Sequence, residues 1–116
     1  MYRIGVDLGG TNIAVGLVSN SNGIFKLENK LSRPTGRERA GEYIVADIAE
    51  ACRELCAEAD VTLKDIEAIG VATPGIANHD EGIVEYANNL KFKHFPLAKM
   101  LSEQLGFENV HIENDA

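Results

Sequence analysis

The sequence predicts an α/β domain in which a three-stranded antiparallel meander is extended by parallel strands and flanked by helices. Three observations predict it. Strand-type alternation fills the first thirty or so residues, a helical period takes over after Pro34-Thr35-Gly36, and an apolar run at Ile66 to Thr73 precedes a second helical stretch and a last short apolar run. Size and composition agree: 116 residues with 45% apolar and 25% charged side chains suit one ordinary domain that folds.

Taken in order, Tyr2 to Leu8 alternates Ile4, Val6 and Leu8 with Arg3, Gly5 and Asp7, and Ile13 to Val18 is a second β-rich run. The Gly9-Gly10-Thr11-Asn12 segment between them predicts a tight hairpin built on glycines at positive φ. The turn cluster Ser19 to Gly23 leads into a third strand, about Ile24 to Leu31. Ile44, Ile48, Cys52, Leu55, Cys56 and Ala59 then recur at three- and four-residue spacing, an amphipathic helix of about six turns. Ile66 to Thr73, closed by Pro74-Gly75, reads as a strand buried on both faces and therefore paired in parallel. A long loop follows. Pro96 opens a short helix with Leu97, Leu101 and Leu105 on one face, Gly106 stops it, and Val110 to Ile112 is the last strand.

Eighteen acidic against eleven basic residues leave a net charge of −7, which disfavours nucleic acid and anionic membranes as partners. No run approaches the roughly 18 apolar residues of a membrane span, and no signal-peptide core follows Met1, so the expected compartment is the cytoplasm. Cys52 and Cys56, the only cysteines, read as reduced core thiols. Glycine is in surplus, eleven where average usage of ~7% gives about eight.

Ligands of open α/β sheets bind at the carboxyl ends of the strands, and three candidate clusters fall there. In Asp7-Leu8-Gly9-Gly10-Thr11-Asn12 the glycines let backbone N–H groups approach a phosphate, Thr11 adds a hydroxyl, and Asp7 suits Mg²⁺ directly or through water. The same residues also fit a plain hairpin turn with a buried aspartate satisfied by backbone, the commoner origin of a short glycine motif. Thr73-Pro74-Gly75 and Asn88-Asn89-Leu90 offer close backbone and paired amides suited to a hydroxyl-rich molecule, or equally a turn and a solvated loop. Glu113-Asn114-Asp115 places a carboxylate where it can take a proton from a substrate hydroxyl, or else cap a following helix. Asn78 to Glu81 reads as a solvated turn in which His79 is no metal ligand, and His94 and His111 have no ligand-spaced partner.

Together, Asp7-Leu8-Gly9-Gly10-Thr11-Asn12, Thr73-Pro74-Gly75, Glu85-Tyr86-Ala87-Asn88-Asn89-Leu90 and Glu113-Asn114-Asp115-Ala116 resemble the N-terminal lobe of the ROK (repressor, open reading frame, kinase) family, and within it bacterial glucokinases. The resemblance spans residues 1–116. It implies an actin-like ATPase, ribonuclease H-like fold and ATP-dependent phosphorylation of a sugar hydroxyl, glucose first among hexoses, with Mg²⁺ on the nucleotide. It implies that Asp7, Gly9, Gly10, Thr11 and Asn12 bind phosphate and metal, that Gly75, Asn88, Asn89, Asn114 and Asp115 face the sugar, and that Asp115 is the general base. It further implies a second lobe carrying the adenosine-binding half and a structural zinc site, a homodimer or homotetramer at full length, and no turnover by this lobe alone. A sugar-sensing transcriptional regulator of the same family is the alternative. Such regulators carry a DNA-binding domain ahead of the Asp-x-Gly-Gly-Thr turn, which here lies six residues from Met1, so the kinase is expected; fructokinases and N-acetylglucosamine or N-acetylmannosamine kinases share the scaffold.

Overall fold

A computed structural model describes residues 1–73, 76–87 and 92–114, with the backbone alone at 76, 85–87, 92–94 and 113–114. The meander is β1 (Tyr2–Leu8), β2 (Asn12–Ser21) and β3 (Ile24–Pro34), and the later strands of the same sheet are β4 (Ile66–Thr73) and β8 (Val110–Asn114). Their spatial order is β3-β2-β1-β4-β8, with β1 parallel to β4 and β4 parallel to β8. Both β2 and β3 run longer than their apolar patterns suggest, because pairing with each other satisfies the backbone of polar residues such as Asn20 and Lys30.

The pleat sorts the side chains by face. Ile4 lies between Leu17 and Ile69, and Val6 between Val15 and Val71, and all six are buried. Helix α1 (Gly41–Glu58) lays Ile44, Val45, Ile48, Ala49, Cys52 and Leu55 into the same core, and α2 (Leu97–Leu105) adds Leu97 and Leu101. Each Ile, Val or Leu among them contributes about 1.5–3 kcal/mol when taken fully out of water. The periodicity anticipated six turns for α1, yet its 18 residues make five. It stops at Asp60, which takes the left-handed conformation at φ 56°, so that the Val61 N–H donates to the Cys56 carbonyl at 2.9 Å and closes the end. Gly106 ends α2 in the same conformation, with φ 66°.

Two expectations are corrected. β4 is buried on one face only: Ile69 and Val71 are in the core, whereas Gly70 and Ala72 point to the opposite, uncovered face. An unbroken apolar run looked two-sided because small residues read as hydrophobic even where nothing packs on them. The region expected to be one long loop holds a second, three-stranded antiparallel sheet of β5 (Ile76–Asn78), β6 (Ile83–Ala87) and β7 (Phe92–Phe95). Strands this short carry too few alternations to stand out. The turn between β5 and β6 is closed by the Gly82 N–H donating to the Asn78 carbonyl, and α2 rests on it through the Ala98 N–H and the Gly82 carbonyl at 3.0 Å. Among the described residues no helix is long and apolar enough to cross a membrane.

Candidate functional site

Parallel pairing brings the strand ends at which the Asp7, Thr73 and Asn114 motifs sit to one edge of the sheet. β1, β4 and β8 are neighbours and point the same way, so Leu8, Thr73 and Asn114 all end at the carboxyl side, with Asp7 beside Ala72 and Thr73 beside Asn114. Pro74-Gly75 and Asp115 continue directly from these ends, and Asn88 and Asn89 from β6. Gly75, Asn88, Asn89 and Asp115 lie outside the described residues, as does the side chain of Asn114.

The β1–β2 connection is a three-residue turn, Gly9 to Thr11, closed by the Gly9 N–H donating to the Asn12 carbonyl at 2.9 Å. Its glycines are not there for positive φ: the described glycines with that conformation are Gly23, Gly36, Gly82 and Gly106. At Gly9 the requirement is space, since a Cβ would lie 3.0 Å from the Asn12 carbonyl oxygen. The N–H groups of Gly10 and Thr11 make no hydrogen bond among the described residues, which leaves two backbone donors side by side. A hollow of about 260 Å³ opens between Gly10 and Thr11 on one side and Gly36, Arg37 and Glu38 on the other. Unpaired N–H groups in a tight turn beside an exposed guanidinium suit an anion.

Asp7 is exposed and has no hydrogen-bond partner or ion pair among the described residues, so the buried, backbone-satisfied aspartate of a plain hairpin turn does not occur here. Its row across the sheet is Ala14-Asp7-Ala72, and the neighbouring row is Gly16-Gly5-Gly70. Both belong to the face away from α1, where a groove of about 480 Å³ is lined mainly by these small residues and by Leu27 and Lys30. A carboxylate with alanines on both neighbouring strands and no partner among the described residues keeps its oxygens open to a hydrated hard cation, and Asp7 fits that use.

The cysteines have no such role. Burial, helped by neighbouring Cys56, pushes the Cys52 thiol up to about 12, and burial raises Cys56 as well, so both stay protonated core side chains. Among the described residues no cluster of three or more His, Cys, Asp or Glu could hold a metal ion. The sequence did not reveal that His79 and His111 stack at 5.7 Å, with His79 Nδ1 2.9 Å from the Ile112 carbonyl oxygen. Nor did it single out Thr35, buried behind the turn; a threonine after a proline carries no local signal of such a role.

Comparison with known proteins decides the family, because the ROK family model matches residues 3–116. The chain belongs to the ROK family. It is 36% identical over 114 residues to the glucokinase of Thermotoga maritima, covering 97% of this chain and 33% of that protein. It is also 29% identical over 113 residues to the xylose repressor of Caldicellulosiruptor bescii, covering 97% of this chain and 27% of that one. The crystal structure of a ROK hexokinase from Thermus thermophilus superposes with a TM-score of 0.83 at 36% identity, over 100% of this chain and 36% of the hexokinase. A ROK glucokinase from Streptomyces griseus, in complex with glucose and AMPPNP, superposes at 0.82 with 29% identity, over 100% and 34%. The ROK chain described here has the actin-like ATPase fold of these proteins and matches their N-terminal lobe. It spans about a third of the length of the curated relatives it matches.

Proposed function

We propose that this ROK chain is the N-terminal lobe of an ATP-dependent sugar kinase that phosphorylates a hexose, glucose before others, and that a C-terminal lobe supplies the rest of the cleft. The observation that carries this reading is the pair of N–H groups at Gly10 and Thr11 that, like the Asp7 carboxylate at the same sheet edge, have no partner among the described residues. Glucokinases among the relatives, one of them solved with glucose and a nucleotide analogue, support it.

In this reading Gly9, Gly10, Thr11 and Asn12 hold the nucleotide phosphates, and Asp7 holds Mg²⁺, directly or through water. The bound ion would neutralise charge on the phosphates. Gly75, Asn88, Asn89 and Asn114 bind sugar hydroxyls, where paired donors and acceptors select one epimer over another. Asp115, just beyond the end of β8, accepts the proton of the attacking hydroxyl as its oxygen bonds to the γ-phosphorus, and ADP leaves with the electron pair of the broken P–O bond. The base need only be unprotonated and aligned, so most of the rate comes from positioning and from charge neutralisation at the turn.

A panel of hexoses and N-acetylhexosamines tested for ADP release by the full-length protein checks the substrate. Replacing Asp115 by Ala is expected to lower turnover by about 100-fold or more while sugar binding, followed by calorimetry, persists. Unaltered turnover would reject Asp115 as the base. The match to a xylose repressor keeps a second reading in play, a sugar-sensing regulator; it predicts sugar binding with no phosphoryl transfer to any member of the panel.

A further inference from the structure

The Gly9–Thr11 turn is closed by a single internal hydrogen bond, and glycine, the least restrained residue, occupies two of its three positions. What pins it comes from elsewhere. Thr35, 26 residues along from Gly9, donates its hydroxyl to the Gly9 carbonyl at 2.8 Å, and its N–H donates to the Thr11 carbonyl at 2.9 Å. Thr35 is 0% exposed, so no solvent molecule competes for either bond. Its own carbonyl accepts from Arg39 Nη2 at 2.6 Å, and the same nitrogen reaches Asp47 Oδ2 on α1 at 2.6 Å. Gly36, at φ 63°, turns the chain back so that the Arg39 N–H meets the Gly36 carbonyl at 2.9 Å; a Cβ there would lie 2.6 Å from Arg39 Nε.

Peptide planarity gives these bonds a directional consequence. The Gly9 carbonyl and the Gly10 N–H belong to one trans peptide unit and point opposite ways. Holding the carbonyl against the Thr35 hydroxyl therefore aims the Gly10 N–H away from Thr35. We propose that Thr35, held in turn by the Arg39–Asp47 link to α1, is a positioning residue that keeps the turn's donors aimed at the nucleotide phosphates. The identity of that anion rests on the kinase reading; the brace itself does not.

In the full-length protein, Thr35→Val removes the hydroxyl while keeping the shape and the backbone N–H, and Thr35→Ser restores the hydroxyl. The valine variant is expected to raise the KM for ATP about tenfold with the sugar KM within about twofold, and the serine variant to return it close to the native value. Hydrogen exchange at the Gly9 amide, bonded across the turn, is expected to quicken about tenfold in Thr35→Val. Should that variant not fold, Asp47→Asn loosens the same brace from a half-exposed position and is expected to shift the ATP KM in the same direction, by about threefold. Unchanged Gly9 exchange together with an unchanged ATP KM, or an equal rise in both KM values, would overturn the brace. A native protein that phosphorylates no sugar would instead overturn the kinase reading, and Gly9 exchange would then decide the brace alone.

Discussion

The two faces of the five-stranded sheet are made from the same strands and have opposite characters. Facing α1 and α2, the central register rows are Leu17-Ile4-Ile69 and Val15-Val6-Val71, and all six side chains are buried in the core. On the other face the rows are Gly16-Gly5-Gly70 and Ala14-Asp7-Ala72, with Phe25 and Leu27 of the edge strand each 54% exposed. A Cβ added at Gly5 or Gly70 would meet nothing within 4 Å. The first face holds the domain together. The second is bare, and Asp7 on it has no partner among the described residues and is free to act on something else. The difference teaches that apolar content alone does not mark a core, since side-chain volume decides which face can bury anything.

The largest effect that tests this comparison is in the core. Ile4→Ala is expected to cost about 2–5 kcal/mol in urea unfolding, whereas Gly5→Ala, one residue away on the bare face, should change stability by no more than about 0.5 kcal/mol. If Gly5→Ala proves as costly as Ile4→Ala in the full-length protein, something covers that face there. Asp7→Ala sharpens the functional half of the contrast: stability should hold within about 0.5 kcal/mol while sugar phosphorylation falls by about 100-fold, or ~2.7 kcal/mol of transition-state stabilisation. Normal turnover in that variant would remove Asp7 from the metal site.

The smallest effect contrasts Asp7 with a carboxylate at the opposite, amino edge. Glu67 accepts a hydrogen bond from Asn20 Nδ2 at 3.0 Å and pairs with Arg3 at 3.1 Å. The Asn20 hydrogen bond, followed by the Arg3 contact, holds its carboxyl below the usual range in spite of some desolvation. A lowered folded-state value means that the stabilisation is present above the unfolded value, about 4.3 for Glu, and is lost as pH falls through the folded one. Asn20→Ala should therefore lower the urea midpoint slightly at neutral pH, and the gap to the native protein should close as pH drops below about 4. A gap that persists in acid would mean that Asn20 stabilises by packing and not through Glu67.

Much of the fold was legible because the signals were local. Alternation in β1, the helical stripe from Ile44 to Cys56, and the Pro96 and Gly106 boundaries of α2 each follow from a few neighbouring residues. Less of the site was. The Asp7 to Asn12 motif located the turn, but the positive φ expected of its glycines is absent, and what Gly9 supplies is clearance from Asn12. β5, β6 and β7 escaped notice because three to five residues cannot display a period. Thr35 escaped because its partners, Gly9 and Thr11, are remote in sequence and adjacent only once β2 and β3 have paired.

By itself the sequence determined the strands of the five-stranded sheet and the two helices, the family to which the chain belongs, and the order of the motifs at the carboxyl ends, since all of these are written in spacing and residue type. Only the tertiary structure decided that β1, β4 and β8 lie side by side, that one face of the sheet is left bare, and that a buried threonine holds the turn. Those outcomes depend on pairing between segments distant in the chain, where the energy comes from contacts that exist only after folding.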